Sequence, residues 1–177
     1  MKRITTLIAL SLMAVAPAAE GDGRKASTFS GSCHFEGVVR FSPPLTNDPQ
    51  PARGSARAAG PCTGTFTDRR GRSHELDGER VSYFAANSGD MSCGGGTAEG
   101  GGYLRYRGHK LRFGLTETRF TGFAELHLEG AKSGSAEALA HVSEDEDPGE
   151  IAQKCLGPGL DRAGLVIDLL PTSGISG

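Results

Sequence analysis

GSCHFEGVVRFSPPLTNDPQPARGSARAAGPCTGTF, residues 31–66, contains two extended segments, each with one cysteine. In the first, Cys33, Phe35, Gly37, Val39 and Phe41 share one face, and His34, Glu36, Val38 and Arg40 share the other. This is the period of a half-buried strand. Ser42-Pro43-Pro44 is expected to stop its pairing, because proline has no N–H to give to a ladder. A long loop over 42–53 follows, holding four of the nine prolines, and a loop of that length in a compact domain is either functional or mobile. Beyond it Cys62, Gly64 and Phe66 return to one face, so a Cys33–Cys62 bridge would tie two strands on their buried side.

The same rhythm continues along the chain. Thr67 to Arg72 is a turn, with three arginines that read more simply as solvated than as an anion site. Val81, Tyr83 and Ala85 form one strand face, and Asn87-Ser88-Gly89-Asp90 is expected to turn the chain back. The glycine-rich segment before Tyr103 would weaken a strand unless something packs against its bare backbone, such as an aromatic ring or a disulfide. Inward faces follow at Leu111, Phe113 and Leu115, at Ala124, Leu126 and Leu128, and at Ala136, Ala138, Ala140 and Val142. Ile151 to Cys155 reads as partly helical, and Leu165 to Leu170 as a closing strand buried on both faces. The expectation is an all-β domain, a single antiparallel β-barrel or β-sandwich of about eight strands stapled by disulfides. Serial strands with short connections favour the meander or barrel.

The N-terminus carries Lys2 and Arg3, an apolar run from Ile4 to Val15, and Ala16-Pro17-Ala18. This is the layout of a signal peptide cut after Ala18, and the run is too short for the roughly 20 residues a bilayer span requires. Residues 1–18 are therefore read as signal, 19–28 as a disordered lead, 29–171 as the domain and 172–177 as a flexible tail. The localisation expected is secreted and extracellular, without a membrane span in the mature chain. That chain of about 160 residues is one domain on the usual size scale. Export makes the four cysteines a disulfide question. Three pairings exist, and Cys33–Cys62 with Cys93–Cys155 is favoured because the first pair flanks one strand pair. Zinc is the weaker alternative, since no C-x2-C spacing occurs.

A net charge of −2 argues against a nucleic-acid partner. Asp90, Ser92 and the glycines after Cys93 do not have the spacing of a serine-protease nucleophile sequence. Glycines 94–102 lack the Gly-Lys-Ser/Thr of a phosphate loop. Glu125, His127 and Glu129 share one strand face and have metal-ligand chemistry, but an outer solvated face is the simpler reading. The acidic run 144–147 lacks the layout of a calcium loop. Leu170-Pro171-Thr172-Ser173-Gly174 departs from a wall-sorting signal at Ser173.

The motifs Cys33-x3-Gly37-x-Val39-x-Phe41 running into Ser42-Pro43-Pro44-Leu45-Thr46, Cys62-x-Gly64-x-Phe66, the 92–102 glycine run, and Cys155 followed by Gly157-Pro158-Gly159-Leu160 resemble a group of secreted four-cysteine bacterial proteins. The resemblance implies an architecture and supplies no catalytic, cofactor-binding or metal residues. The functional expectation is a non-enzymatic structural or binding protein, monomeric, with an extracellular ligand or cell-surface component as partner and no cofactor. A small hydrolase using Glu and His residues gathered by folding is one alternative. A carbohydrate- or cell-wall-binding module is another, requiring Tyr83, Tyr103 and Tyr106 side by side and exposed, as the chain has no tryptophan.

Overall fold

A computed structural model describes residues 25–177. The expected signal segment 1–18 and most of the expected lead 19–28 lie outside the described residues. Eight strands follow one another as β1 (Thr28–Leu45), β2 (Gln50–Thr67), β3 (Ser73–Met91), β4 (Gly95–Tyr106), β5 (His109–Phe120), β6 (Phe123–Gly130), β7 (Ser135–Val142) and β8 (Leu160–Ser176). Among the described residues a single helix, α1 (Pro148–Leu156), lies between β7 and β8. Each strand pairs antiparallel with its neighbours in sequence, and β8 returns to pair with β1, closing a barrel. The closing register sets His34 against Asp168 and Phe35 against Ile167. Closure leaves the sheet without free edges, which decides for a barrel over a sandwich.

Short hairpins impose the serial order. Between β4 and β5 the whole connection is Arg107-Gly108, both at positive φ (47° and 86°), the backbone that matches strand twist in a two-residue hairpin. The expected loop 42–53 is much shorter than its prolines imply: β1 and β2 extend to Leu45 and from Gln50, leaving 46–49 as the connection. Pro43 and Pro44 are accommodated because the β1–β8 register shifts between Arg40 and Leu45, and such an irregularity frees backbone positions from the ladder, while Pro49 falls in the connection itself. The expected turn at 87–90 is likewise strand, paired from Asn87 to Asp90 with both β2 and β4. The expected tail is strand as well: Ile175 is buried against the barrel, opposite Phe29, and Gly177 exchanges backbone hydrogen bonds with Ser27.

Both disulfides have the favoured pairing. Cys33 and Cys62 are register partners on β1 and β2, while Cys93–Cys155 joins the β3–β4 turn to α1. Side chains alternate as the period-two reading requires, with Phe35, Val81, Tyr83, Leu111, Phe113, Leu126 and Leu128 buried in the barrel. In β8 Ile167 and Leu169 are buried and so is Val166 on the opposite face, whereas Asp168 is partly exposed and Leu170 exposed, so burial on both faces is confined to the middle of the expected segment. Outward positions are largely polar, including His34, Glu36, Arg40, Arg112, Glu125, His127 and Glu129. Among the described residues no helix is long and apolar enough to cross a membrane.

The interior is unevenly filled. Phe35 packs on Tyr83 with ring centres 5.6 Å apart, and Tyr83 stacks on Phe113 at 5.7 Å, forming an aromatic layer across the barrel. Towards the N-terminal end Phe66 and Tyr106 add a second pair, at 5.6 Å. The glycines of β4 are part of this packing, since a Cβ on Gly102 would stand 2.8 Å from the Phe113 ring and 2.1 Å from the Phe84 carbonyl oxygen. The bare backbone is therefore covered by an aromatic ring, as a glycine-rich strand requires. On the other side of the layer, inward positions are small: Gly54, Ala56, Ala85, Ala140 and Ala163. Small side chains do not meet across a barrel of this strand number, and space is left between them.

Candidate ligand cavity

That space is a cavity of about 910 Å³. Its floor is Tyr83, Leu115, Leu126 and Ile167, and its walls include Val39, Phe41, Ala56, Ala85 and Ala140. Volumes of roughly 300–1,000 Å³ with mainly apolar lining are those of small-molecule sites. The cavity reaches solvent beside the β5–β6 hairpin and α1, where the lining residues Phe120, Phe123 and Leu156 are 52%, 64% and 77% exposed. Exposed apolar groups of this size gathered at an opening are unusual on a water-facing surface.

One polar cluster interrupts the apolar wall. On β5 the inward parity of Leu111, Phe113 and Leu115 continues to Glu117 and Arg119, and on β3 that of Val81, Tyr83 and Ala85 continues to Asn87. Glu117 is 5% exposed. Its carboxylate pairs with the Arg119 guanidinium and accepts a hydrogen bond from the Asn87 amide nitrogen. The contact is made at Arg119 Nε, as an ion pair and not as an aligned hydrogen bond. The guanidinium also lies over the Phe41 ring, 4.6 Å from its centre. A buried carboxylate is retained only with such partners. Asn87 needs Gly54 opposite it, because a Cβ there would stand 2.4 Å from Asn87 Oδ1. The Tyr83 hydroxyl, at the floor, is pushed to higher pKa by burial and further by the negative charge of Glu117, so it remains a protonated donor.

α1 forms the roof. Asp147 caps it, accepting a hydrogen bond from the Gly149 N–H at 2.7 Å, and Pro148 occupies the first turn. Glu150 in the first turn and Lys154 in the last complement the helix dipole. Glu146 accepts from the Gly164 N–H at 2.5 Å, fixing the connection to β8. The acidic run 144–147 thus shapes the roof, and its members Glu144 and Glu146 line the cavity. Only Cys155 of the helix is buried, so the Cys93–Cys155 bridge carries much of the attachment. Cys93 is itself held by its N–H, which donates to the Thr46 carbonyl at 2.7 Å.

The other sequence candidates fall elsewhere. Ser92 is buried in the β3–β4 turn, where its hydroxyl donates to the Gly95 carbonyl and accepts from the Gly95 N–H, while Asp90 is exposed. Glu125, His127 and Glu129 lie on the outer wall, and His127 pairs across the strands with Glu137 at 2.6 Å. Among the described residues no cluster of three His, Cys, Asp or Glu has metal-binding geometry. Tyr83 and Tyr106 are buried and Tyr103 alone is partly outside, so the three do not make an exposed row. Of the turn arginines, Arg72 is drawn to the fully buried Asp68, whose carboxylate accepts from the Arg70 and Arg72 N–H groups and from the Arg72 guanidinium. Burial alone would raise that carboxyl, but the Arg72 and Arg70 donors hold it well below the ordinary carboxylate range. His141, which lines the cavity, hydrogen-bonds to the Val142 carbonyl and makes no hydrogen bond to Glu117.

Asn87, Glu117 and Arg119 are absent from the sequence-based candidates. The signal that finds them is parity: each stands two or four residues beyond an inward run that reads as core. The chain, compared with protein-family models, with curated proteins and with solved structures, shows no match.

Proposed function

We propose that this protein is a secreted, monomeric, non-enzymatic binding protein that takes up a small apolar molecule in the open half of its barrel. The observation that carries this reading is the cavity of about 910 Å³, apolar on its walls and provided with one buried polar cluster. An interior that folding leaves empty loses the contacts a packed core would have made. A ligand restores them. Closed edges favour a monomer, since no strand is left to pair with a second copy. The signal-like residues 1–18 and the two disulfides support export.

The test is fluorescence titration with N-phenyl-1-naphthylamine, a neutral apolar probe. Saturable binding at one site is expected, and Ala56→Phe, which fills the cavity from its wall, is expected to weaken it at least about tenfold. Probe binding that does not saturate, or that Ala56→Phe leaves unchanged while the variant stays folded by circular dichroism, overturns the reading.

A further inference from the structure

We infer that the cavity selects uncharged apolar molecules bearing one hydrogen-bond-acceptor oxygen, such as an ester, ketone or alcohol, and rejects carboxylates; this rests on the binding function proposed above. The Glu117–Arg119 pair is the selecting element. Its charges sum to zero within the cavity wall, so no unbalanced positive charge waits for an anion. Among the donors that line the cavity, the Tyr83 hydroxyl makes no hydrogen bond to a protein acceptor among the described residues, and the Arg119 guanidinium, paired with Glu117 at Nε, has further N–H donors on its terminal nitrogens. These are the donors the cavity offers to an acceptor oxygen on the ligand.

A carboxylate would meet the same donors and also the field of Glu117. That field reaches the donor site itself, since the Glu117 charge acts on the Tyr83 hydroxyl. Two carboxylates sharing a buried site repel one another, and a third charge would have to be desolvated to enter. The entrance opposes anions too: Glu144 and Glu146 line the cavity and Asp145, Asp147 and Glu150 stand on the same roof segment. A cationic head is disfavoured at the inner end for the converse reason, because it would have to displace Arg119 from Glu117. Chain ligands enter past Phe120, Phe123 and Leu156, whose exposed apolar surfaces suit an alkyl or ring system.

The test is displacement of N-phenyl-1-naphthylamine at pH 7.5 by a matched pair, methyl dodecanoate and dodecanoate, on the wild-type chain and on Glu117→Gln. Wild type is expected to bind the ester at least about tenfold more tightly than the acid. Glu117→Gln keeps the size of the side chain and removes its charge, leaving Arg119 unpaired, and is expected to bring the acid level with the ester or ahead of it. Wild type preferring dodecanoate overturns the inference, as does a saturably bound probe that neither compound displaces. An unchanged preference in a folded Glu117→Gln chain also overturns it, by removing the ion pair as the selecting element. The wild-type comparison stands alone if that variant does not fold. Absence of probe binding in wild type would instead strike the binding function itself, so the two failures are distinct.

Discussion

Replacing Cys93 and Cys155 together by alanine would remove the covalent hold on the cavity roof. The bridge spans 62 residues, and in the chain-entropy relation closing a loop of that length restricts the unfolded state by about 4 kcal/mol at 25 °C. Ordinary domains are stable by about 5–15 kcal/mol, so the double variant should remain folded with much of its margin gone. The loss should also be local. A nine-residue helix is too short to be stable alone, and here Cys155 is its one buried residue, with Ile151 partly buried. The assay is equilibrium urea unfolding followed by circular dichroism, combined with amide hydrogen exchange. The expected outcome is a stability loss of about 4 kcal/mol, with amides of α1 losing protection before those of β1 to β5. The Cys33/Cys62 double variant is the control. Its 29-residue loop predicts about 3.6 kcal/mol, but the two cysteines join strands that are already hydrogen-bonded in register, so α1 exchange should not change. A Cys93/Cys155 loss below about 1 kcal/mol with α1 protection intact would refute the reasoning, because packing alone would then hold the roof.

Two further outcomes test the scaffold. Gly102→Val should destabilise the barrel by about 2–3 kcal/mol in urea unfolding, since its Cβ would press on the Phe113 ring and the Phe84 carbonyl. Asp68→Asn should lower the melting temperature at pH 7, with the gap to wild type narrowing towards pH 2. The sign follows from the depressed carboxyl: its stabilisation is present above the unfolded-state value of 3.8 and is lost as pH falls through the folded-state value, where wild type too becomes protonated. A gap that stays constant with pH would show that the Asp68 charge is not what the Arg72 and Arg70 donors hold.

Much of the barrel is legible in the sequence because a half-buried strand writes its burial directly into alternate residues. Phe35, Phe113 and Leu126 can be assigned inward from that period alone, and cysteine placement favours the pairing that forms. The reading stops short where local signals oppose tertiary ones. Asn87-Ser88-Gly89-Asp90 has turn chemistry, yet β2 on one side and β4 on the other provide ladders that keep it extended. Pro43 and Pro44 look like a strand end, yet a register irregularity against β8 lets the chain pass.

One of these overruled turns, 87–90, lies at the site. Extending β3 places Asn87 inside the barrel, and extending β5 places Glu117 and Arg119 beside it, a meeting of residues 30 and more positions apart that no local pattern records. The sequence by itself determines the strands, their inward faces, the all-β class and the favoured staples, because each of these depends on side chains close along the chain. Only the tertiary structure decides that β8 closes on β1, that the glycines and alanines of different strands face one another across an unfilled space, and that α1 covers it. Those depend on strand stagger and on the summed volume of side chains brought together by closure, quantities that exist only once the chain has folded.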